Sequence, residues 1–96
     1  MPGYFLGVLH EIKDAAAFTA YQQVAEPTIA QYGGKLVFLS SEVEACDGDW
    51  SPMGIVLTEF ESSGQARKWY NSPEYQAVIG QLLASTDSNT VFIDTD

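Results

Sequence analysis

The chain has few of the residues that several common classes of protein require. Of its 96 residues, one is cysteine, one is histidine and four are lysine or arginine. Cys46 has no second thiol for an internal disulfide and no clustered histidines for a zinc site, so a reducing compartment, the cytoplasm, is expected. The four basic residues form no cluster, which disfavours binding to nucleic acid or to an anionic membrane.

Acidic and apolar residues are plentiful instead. Thirteen acidic residues give a net charge of −9, and 46% of the chain is hydrophobic. This charge disfavours an anionic ligand, so a neutral or weakly polar small molecule fits better. The length predicts a single domain, residues 1–96, that is near the lower limit for burying a core alone. The excess of apolar residues therefore predicts a homodimer in which part of the surface is covered.

Hydrophobic periodicity predicts the order strand, helix, strand, strand, helix, strand. The N-terminal residues lack the positive charge of a signal peptide and the length of a membrane span, so they are read as a strand. Asp14 is a suitable N-cap for the first helix, Pro27 should kink or restart it, and Gly33-Gly34 should end it. The predicted strands are 4–12, about 35–45, 55–60 and 91–93, and the predicted helices are 15–32, one capped by Ser62 or Ser63, and one beginning at Ser72-Pro73-Glu74.

This order is the split βαβ arrangement of an α+β, ferredoxin-like domain, with an antiparallel sheet that carries helices on one face only. The other face should pair with a second copy of the chain, because it is too apolar to remain in water. Alternation assigns His10 to the helix side, with Leu6 and Val8. It assigns to the open side Phe5, Leu9, Val37, Leu39, Ile55 and Leu57.

Four segments that together span nearly the whole chain form a recognisable set. They are Tyr32-Gly33-Gly34, Asp47-Gly48-Asp49-Trp50-x-Pro52, Glu59-Phe60 and Trp69-Tyr70-x-Ser72-Pro73-Glu74-Tyr75-Gln76. This set resembles the domain-of-unknown-function 1330 family of the dimeric α+β barrel superfamily. The resemblance implies a dimer whose sheets face each other and a pocket in each subunit between sheet and helices or loops. It implies no single reaction, because the superfamily includes cofactor-free monooxygenases, haem-handling proteins, polyketide cyclases, isomerases, and decarboxylating or dehalogenating enzymes.

The chain departs from the pattern of that family at four places. The family often has an acidic residue in the first strand and arginine at three further places, whereas this chain has Leu9, Leu39, Gly54 and Leu82 or Leu83. Replacing the acidic residue and the arginines together with uncharged residues avoids leaving one charge buried and unpaired. We therefore predict a lumen that binds a more hydrophobic molecule than those bound by its relatives.

Glu59 and His10 are the candidate catalytic residues. His10 is the one histidine, and its ordinary pKa suits proton transfer near neutral pH. Glu59 shares the alternation of Ile55 and Leu57, and an apolar lumen would raise the pKa of its carboxyl. The alternatives are a structural histidine in the helix-side core and a solvated glutamate at a strand end.

The candidate substrate-binding residues are aromatic and aliphatic. Large rings can wall a pocket and orient a ligand with their polar tips, although ordinary core packing would use the same residues. The candidates are Phe5, Leu9, Leu39, Trp50, Leu57, Trp69 and Tyr75.

No cofactor or metal is expected, because the sequence lacks a phosphate-binding glycine loop and the ligand spacing of a calcium loop. The predicted function is a cofactor-independent cyclase, isomerase or lyase that moves a proton on a hydrophobic carbonyl or polyketide-like compound. The alternatives are a non-catalytic homodimer that binds a metabolite, and a structural dimer without a pocket.

Overall fold

The computed structural model describes residues 2–95, which form a four-stranded antiparallel sheet with helices packed on one face. The sheet order is β2-β3-β1-β4. The α+β, ferredoxin-like prediction is confirmed. The strands are β1 (Gly3–Ile12), β2 (Lys35–Ser40), β3 (Gly54–Phe60) and β4 (Thr86–Asp94), and the helices are α1 (Ala15–Gln31), α2 (Ser63–Tyr70), α3 (Pro73–Gln76) and α4 (Ile79–Ser85).

Helix α1 begins and ends where its capping residues predict. The Asp14 side chain accepts a hydrogen bond from the Ala17 N–H at 3.0 Å. At the other end Gly33 has φ +78°, and the Gly33 and Gly34 N–H groups donate to the carbonyls of Ala30 and Ile29. This is a Schellman motif, which turns the chain toward β2. Pro27 lies inside α1 and does not restart it.

The structure differs from the predicted elements by more than one residue in β2, in β4 and in the last helical region. β2 ends at Ser40, before the polar residues that follow it, whereas the prediction continued to residue 45. β4 begins at Thr86, whereas the predicted strand begins at Val91. β4 pairs with β1 along an edge of the sheet, where polar side chains remain compatible with a strand. The last helical region is divided into α3 and α4 instead of forming one helix.

The predicted faces of β1 are reversed. Phe5 and Leu9 are buried on the helix side, where the Phe5 ring lies 5.1 Å from the Trp69 ring. The prediction that both lie on the open side is wrong, because β1 is apolar at both parities and alternation alone cannot orient it. His10 was therefore also assigned to the wrong side. His10 lies near the C-terminal end of β1, on the open side of the sheet, and its Nε2 is 2.7 Å from Oδ1 of Asn89.

Leu39 was assigned to the wrong face for a different reason. The register of β2 against β3 shifts between Leu36 and Phe38, so a bulge at Val37 resets the alternation. As a result Leu39 pairs with Val56 on the helix side. The predicted positions of Ile55 and Leu57 are correct, since they alternate with the buried residue Thr58 of β3.

The core lies between the sheet and the helices. Trp69 and Tyr75 are its largest buried side chains, with ring centres 4.2 Å apart. The indole N–H of Trp69 donates to Oγ1 of Thr28 at 3.0 Å, so α2 is tied to α1 by a buried hydrogen bond. Ser72 caps α3 by accepting from the Tyr75 N–H at 3.1 Å, which places Tyr75 against the core.

The opposite surface of the sheet, which we call the open face, carries no helix. Phe38 and Val91 are 43% and 50% exposed there. The Phe38–Leu57, Leu6–Leu57 and Leu6–Val91 pairs make its apolar character continuous across all four strands. The face is formed by Tyr4, Leu6, Val8, Phe38, Ile55, Leu57, Glu59, Val91 and Ile93. Within residues 2–95, no helix has the length and apolar character needed to cross a membrane.

Candidate functional site

A pocket of about 70 Å³ lies between α1 and the helix side of the sheet. Its wall is open to solvent at Leu36 and Leu39, which are 41% and 43% exposed, so a molecule larger than this volume can enter it in part. We call it the helix-side pocket. Its sheet wall includes Phe5, Gly7, Leu9, Leu36, Leu39, Val56, Thr58, Ser88 and Thr90, and its helix wall includes Phe18, Tyr21, Gln22, Ala25, Glu26, Ile29, Trp69 and Leu82.

Small side chains on both walls create this space. Gly7 of β1 stands between Val56 of β3 and Thr90 of β4 in the sheet. A Cβ atom at Gly7 would lie 2.9 Å from Cγ1 of Val56, so any side chain there would displace a pocket wall. Ala25 supplies the small residue of α1. The pocket thus follows from glycine and alanine at facing positions of sheet and helix.

The wall of the pocket is mostly apolar, with a few polar groups. Hydroxyls are available from Thr58, Thr90 and Tyr21, and Glu26 is the one carboxylate among the pocket-lining residues of the described chain. Such a surface favours a ligand that is mainly apolar and carries few polar atoms.

Tyr21 is bonded to a second tyrosine behind it. Its hydroxyl oxygen lies 2.8 Å from that of Tyr75. Burial raises the pKa of both hydroxyls above the ordinary tyrosine value, most strongly for Tyr75. Both groups therefore stay neutral near pH 7 and keep their protons.

Several residues predicted for ligand binding do meet in this pocket. Phe5, Leu9, Leu39 and Trp69 all line it, together with Leu82, one of the positions where the chain departs from the family pattern. These side chains give the pocket an apolar lining on the helix side of the sheet, whereas the prediction placed Leu9 and Leu39 on the open side. That these residues contact a ligand stays a prediction.

Tyr75 and Leu57 do not line the pocket. Tyr75 is fully buried behind Trp69 and reaches the pocket only through the hydroxyl of Tyr21. Leu57 lies on the open face, since it alternates with the pocket residues Val56 and Thr58.

The two predicted catalytic residues also lie outside the pocket. Glu59 is on the open face, where it accepts a hydrogen bond from the Tyr4 hydroxyl at 3.2 Å and lies 3.6 Å from Nζ of Lys35. His10 is bonded to Asn89 and lies 6.2 Å, between ring centres, from Trp50, which is 46% exposed. The structure therefore separates Glu59, His10 and Trp50 from the helix-side pocket.

The wall that α1 contributes to the pocket was not predicted from the sequence. Phe18, Tyr21, Gln22, Ala25 and Glu26 recur at helical spacing, so one face of α1 turns toward the pocket. That periodicity could have identified the face but not the cavity. Among residues 2–95, no three His, Cys, Asp or Glu side chains are grouped to hold a metal ion.

Comparison with known proteins identifies the family. The family model described as "Domain of unknown function (DUF1330)" matches residues 2–95. The chain belongs to this family. No curated protein matches the chain significantly.

Solved structures similar to this DUF1330 protein include RPA0582, a protein of unknown function from Rhodopseudomonas palustris. It is 18% identical, with a TM-score of 0.80 over 99% of this chain and 82% of that one. SnoaB, a cofactor-independent oxygenase from Streptomyces nogalater, is 15% identical, with a TM-score of 0.65 over 99% and 93%. A dimeric ferredoxin-like protein of unknown function from Thermobifida fusca is 12% identical, with a TM-score of 0.64 over 99% and 92%. At these identities the likeness shows a shared fold.

Proposed function

We propose that this DUF1330 protein binds a small, mainly apolar molecule in the helix-side pocket and catalyses a proton transfer within that molecule without a cofactor. The observation that carries the proposal is the pocket, whose wall is apolar except for a few hydroxyls, Gln22 and Glu26. Burying ligand surface against Leu9, Leu39 and Leu82 would contribute about 25 cal/mol per Å². The net charge of −9 and the carboxylate of Glu26 disfavour an anionic ligand.

Glu26 is the group in this pocket that is best suited to move a proton. Its carboxylate can take a proton from the carbon beside a carbonyl group, while the C–H electrons pass to the carbonyl oxygen and give an enolate. Exchange of this proton with solvent on the Glu26 carboxyl, followed by return of a solvent-derived proton to the same carbon, completes an exchange. Return of the proton to another atom completes an isomerisation, and many cyclase and lyase reactions begin with the same enolate. The fold is compatible with cofactor-free chemistry, since SnoaB is a cofactor-independent oxygenase.

The assignment of Glu59 and His10 as catalytic groups stays a prediction. Glu59 and His10 belong to the opposite side of the sheet, so they could act only on a molecule bound outside the helix-side pocket. This separation favours one alternative function, the non-catalytic binding of a metabolite by the same pocket.

Deuterium exchange into acetophenone tests the proposal. Its ring is apolar and its methyl protons are next to a carbonyl, so exchange in D₂O at neutral pH, followed by proton NMR, reports the first proton transfer. We expect the protein to accelerate exchange and Glu26→Gln to reduce the rate roughly a hundredfold. Glu44→Gln, which removes an exposed loop carboxylate, is the matched control.

The other outcomes distinguish the alternatives. Acceleration that survives Glu26→Gln but is lost in Glu59→Gln or His10→Ala would transfer the catalytic role to the open face. Binding of acetophenone without exchange would favour the non-catalytic function. Absence of binding across a broad panel of small apolar ketones and hydrocarbons would contradict the pocket itself as a ligand site.

We also propose that the open face pairs with a second copy of the chain. Its support is the exposure of Phe38, Val91 and neighbouring apolar residues on a sheet surface without helices. The similar protein from Thermobifida fusca is dimeric, which fits this arrangement. A cytoplasmic location rests on cysteine content and stays a prediction.

A further inference from the structure

The hydroxyl pair of Tyr21 and Tyr75 has two protons but a single hydrogen bond. The oxygen atoms are 2.8 Å apart, and either hydroxyl could donate. Tyr75 is 0% exposed, whereas Tyr21 is partly exposed and lines the helix-side pocket. The direction of this bond therefore decides where the second proton points.

One of the two directions is strongly disfavoured. If Tyr21 donated to Tyr75, the Tyr75 hydroxyl proton would be buried, and no other hydrogen bond of Tyr75 OH is present within residues 2–95. Leaving a buried donor without an acceptor is costly, because the donor has lost its hydrogen bond to water and forms none within the protein. If Tyr75 donates to Tyr21, its proton is satisfied, and the proton of Tyr21 is left over.

The hydroxyl proton of Tyr21, which makes no bond to Tyr75, lies beside the helix-side pocket. A phenolic proton lies near the ring plane, so turning it away from Tyr75 leaves it available to a molecule in the helix-side pocket. Tyr21 already accepts a bond from Tyr75, and such a chain strengthens the next bond along it. Burial raises the pKa of Tyr21, which keeps its proton in place for donation.

We propose that Tyr21 is a ligand-binding residue that donates its hydroxyl proton to an acceptor oxygen of the carbonyl class on the bound molecule, and that Tyr75 sets the direction of this bond. This inference rests on the proposed function and adds that the ligand carries an acceptor oxygen of the carbonyl class. The same bond would stabilise an enolate oxygen formed by proton transfer to Glu26.

A pair of ligands of the same shape tests this inference. Acetophenone and α-methylstyrene differ in having C=O or C=CH₂ at one position, so the ratio of their dissociation constants isolates the acceptor oxygen. We expect Tyr21→Phe to shift this ratio against acetophenone by roughly three- to tenfold, the range for one neutral hydrogen bond. Tyr32→Phe is the matched control, because the Tyr32 hydroxyl donates to Glu74, which does not line the pocket.

The infrared band of the bound carbonyl gives a second readout that does not need the variant to be stable. We expect this band in the wild-type complex at lower frequency than in a hydrocarbon solvent, and a return toward the hydrocarbon value in Tyr21→Phe. A wild-type band at the hydrocarbon position would overturn the inference. So would a ratio and a band that are both unchanged by Tyr21→Phe, although the proposed function would then still stand. If neither ligand nor any other small apolar compound binds, both proposals fail.

Discussion

At the scale of single residues, a buried hydrogen-bond chain joins α1 to α2. The indole N–H of Trp69 donates to Thr28 Oγ1 at 3.0 Å, and the Thr28 hydroxyl donates to the carbonyl of Ala25 at 2.6 Å. Trp69 is almost completely buried, so its N–H cannot turn to water instead.

Thr28→Val removes this acceptor while keeping the shape of the side chain. We expect the free energy of unfolding to fall by about 1 to 3 kcal/mol, the cost of a buried donor without a partner. Urea denaturation measures the change, and Thr19→Val, on the exposed surface of α1, should stay within about 0.5 kcal/mol of the wild type. Equal effects of the two substitutions would contradict the role given to Thr28.

The hydrogen bonds of Glu74 predict that the stability of the protein depends on pH. Glu74 accepts hydrogen bonds from the Tyr32 hydroxyl at 2.9 Å and from Gln31 Nε2 at 3.1 Å. Its own backbone N–H, and then these side chains, lower the pKa of the Glu74 carboxyl in the folded state. A lowered folded pKa contributes stability above the ordinary carboxyl value, and this contribution is lost as pH falls through the folded value.

We therefore expect wild-type protein to exceed Glu74→Gln in unfolding free energy at neutral pH, and the difference to shrink as pH falls from the ordinary carboxyl pKa through the lower folded one. Urea denaturation at several pH values measures this difference, with Glu44→Gln as the control for a generic loss of charge. A difference that stayed constant over that range would show that the ionised carboxylate contributes nothing.

The site could be predicted in part at this scale. Leu9 and Leu39 were chosen from the sequence as ligand contacts, and both line the pocket although they were assigned to the wrong face. Tyr21 was missed, because its bond to Tyr75 joins residues 54 positions apart and arises only from tertiary packing. Glu59 lies on the open face that its alternation predicted, but this face does not contain the pocket, and His10 was assigned to the wrong side.

At the scale of elements, two consecutive glycines end α1 for different reasons. Gly33 needs its positive φ of 78°, but a Cβ there would meet nothing within 4 Å. At Gly34 a Cβ would lie 2.5 Å from Cε1 of Phe60, a buried core ring. Conformation constrains the first position and close packing constrains the second.

We expect Gly33→Ala to cost about 1 kcal/mol through its backbone conformation. Gly34→Ala should cost more, about 1 to 3 kcal/mol, because Phe60 must move in a packed core. Thermal or urea unfolding of the two variants gives the order directly. If Gly33→Ala were the more destabilising, the close approach of Gly34 to Phe60 would not limit this turn.

Elements with strong terminal signals were the most predictable. Asp14 and Gly33 placed both ends of α1 correctly, and Ser72 placed the start of α3. Of the two caps predicted for α2, Ser62 or Ser63, the structure has Ser62. The beginning of β4 was missed because Asp87, Ser88 and Asn89 are polar, and their strand conformation comes from pairing with β1. The bulge at Val37 left no signal in a run of apolar residues.

At the scale of the whole molecule, the order of elements was enough to predict the fold, because few topologies accommodate two βαβ halves around one antiparallel sheet. The pocket was harder to predict. It depends on the gap that Gly7 and Ala25 leave between sheet and helix, which is a property of packing rather than of pattern.

The open face predicts the oligomeric state of the protein. We expect the wild-type chain to be a dimer in light scattering at micromolar concentration, and Leu57→Asp to be a folded monomer, because a charge buried between two sheets is unpaired. Leu83→Asp is the matched control, since Leu83 is 63% exposed on α4, away from the sheet. A monomeric wild type, or a dimer that persists in Leu57→Asp, would contradict pairing through this face.

Methyl NMR shows whether a ligand binds between α1 and the sheet without any substitution in the protein. Acetophenone is titrated into protein with assigned methyl signals, and the shifted signals locate the bound molecule. We expect shifts at Leu9, Ala25, Leu39 and Val56, which line the helix-side pocket. Shifts confined instead to the open-face methyls of Leu6, Leu57, Val91 and Ile93 would contradict binding in this pocket.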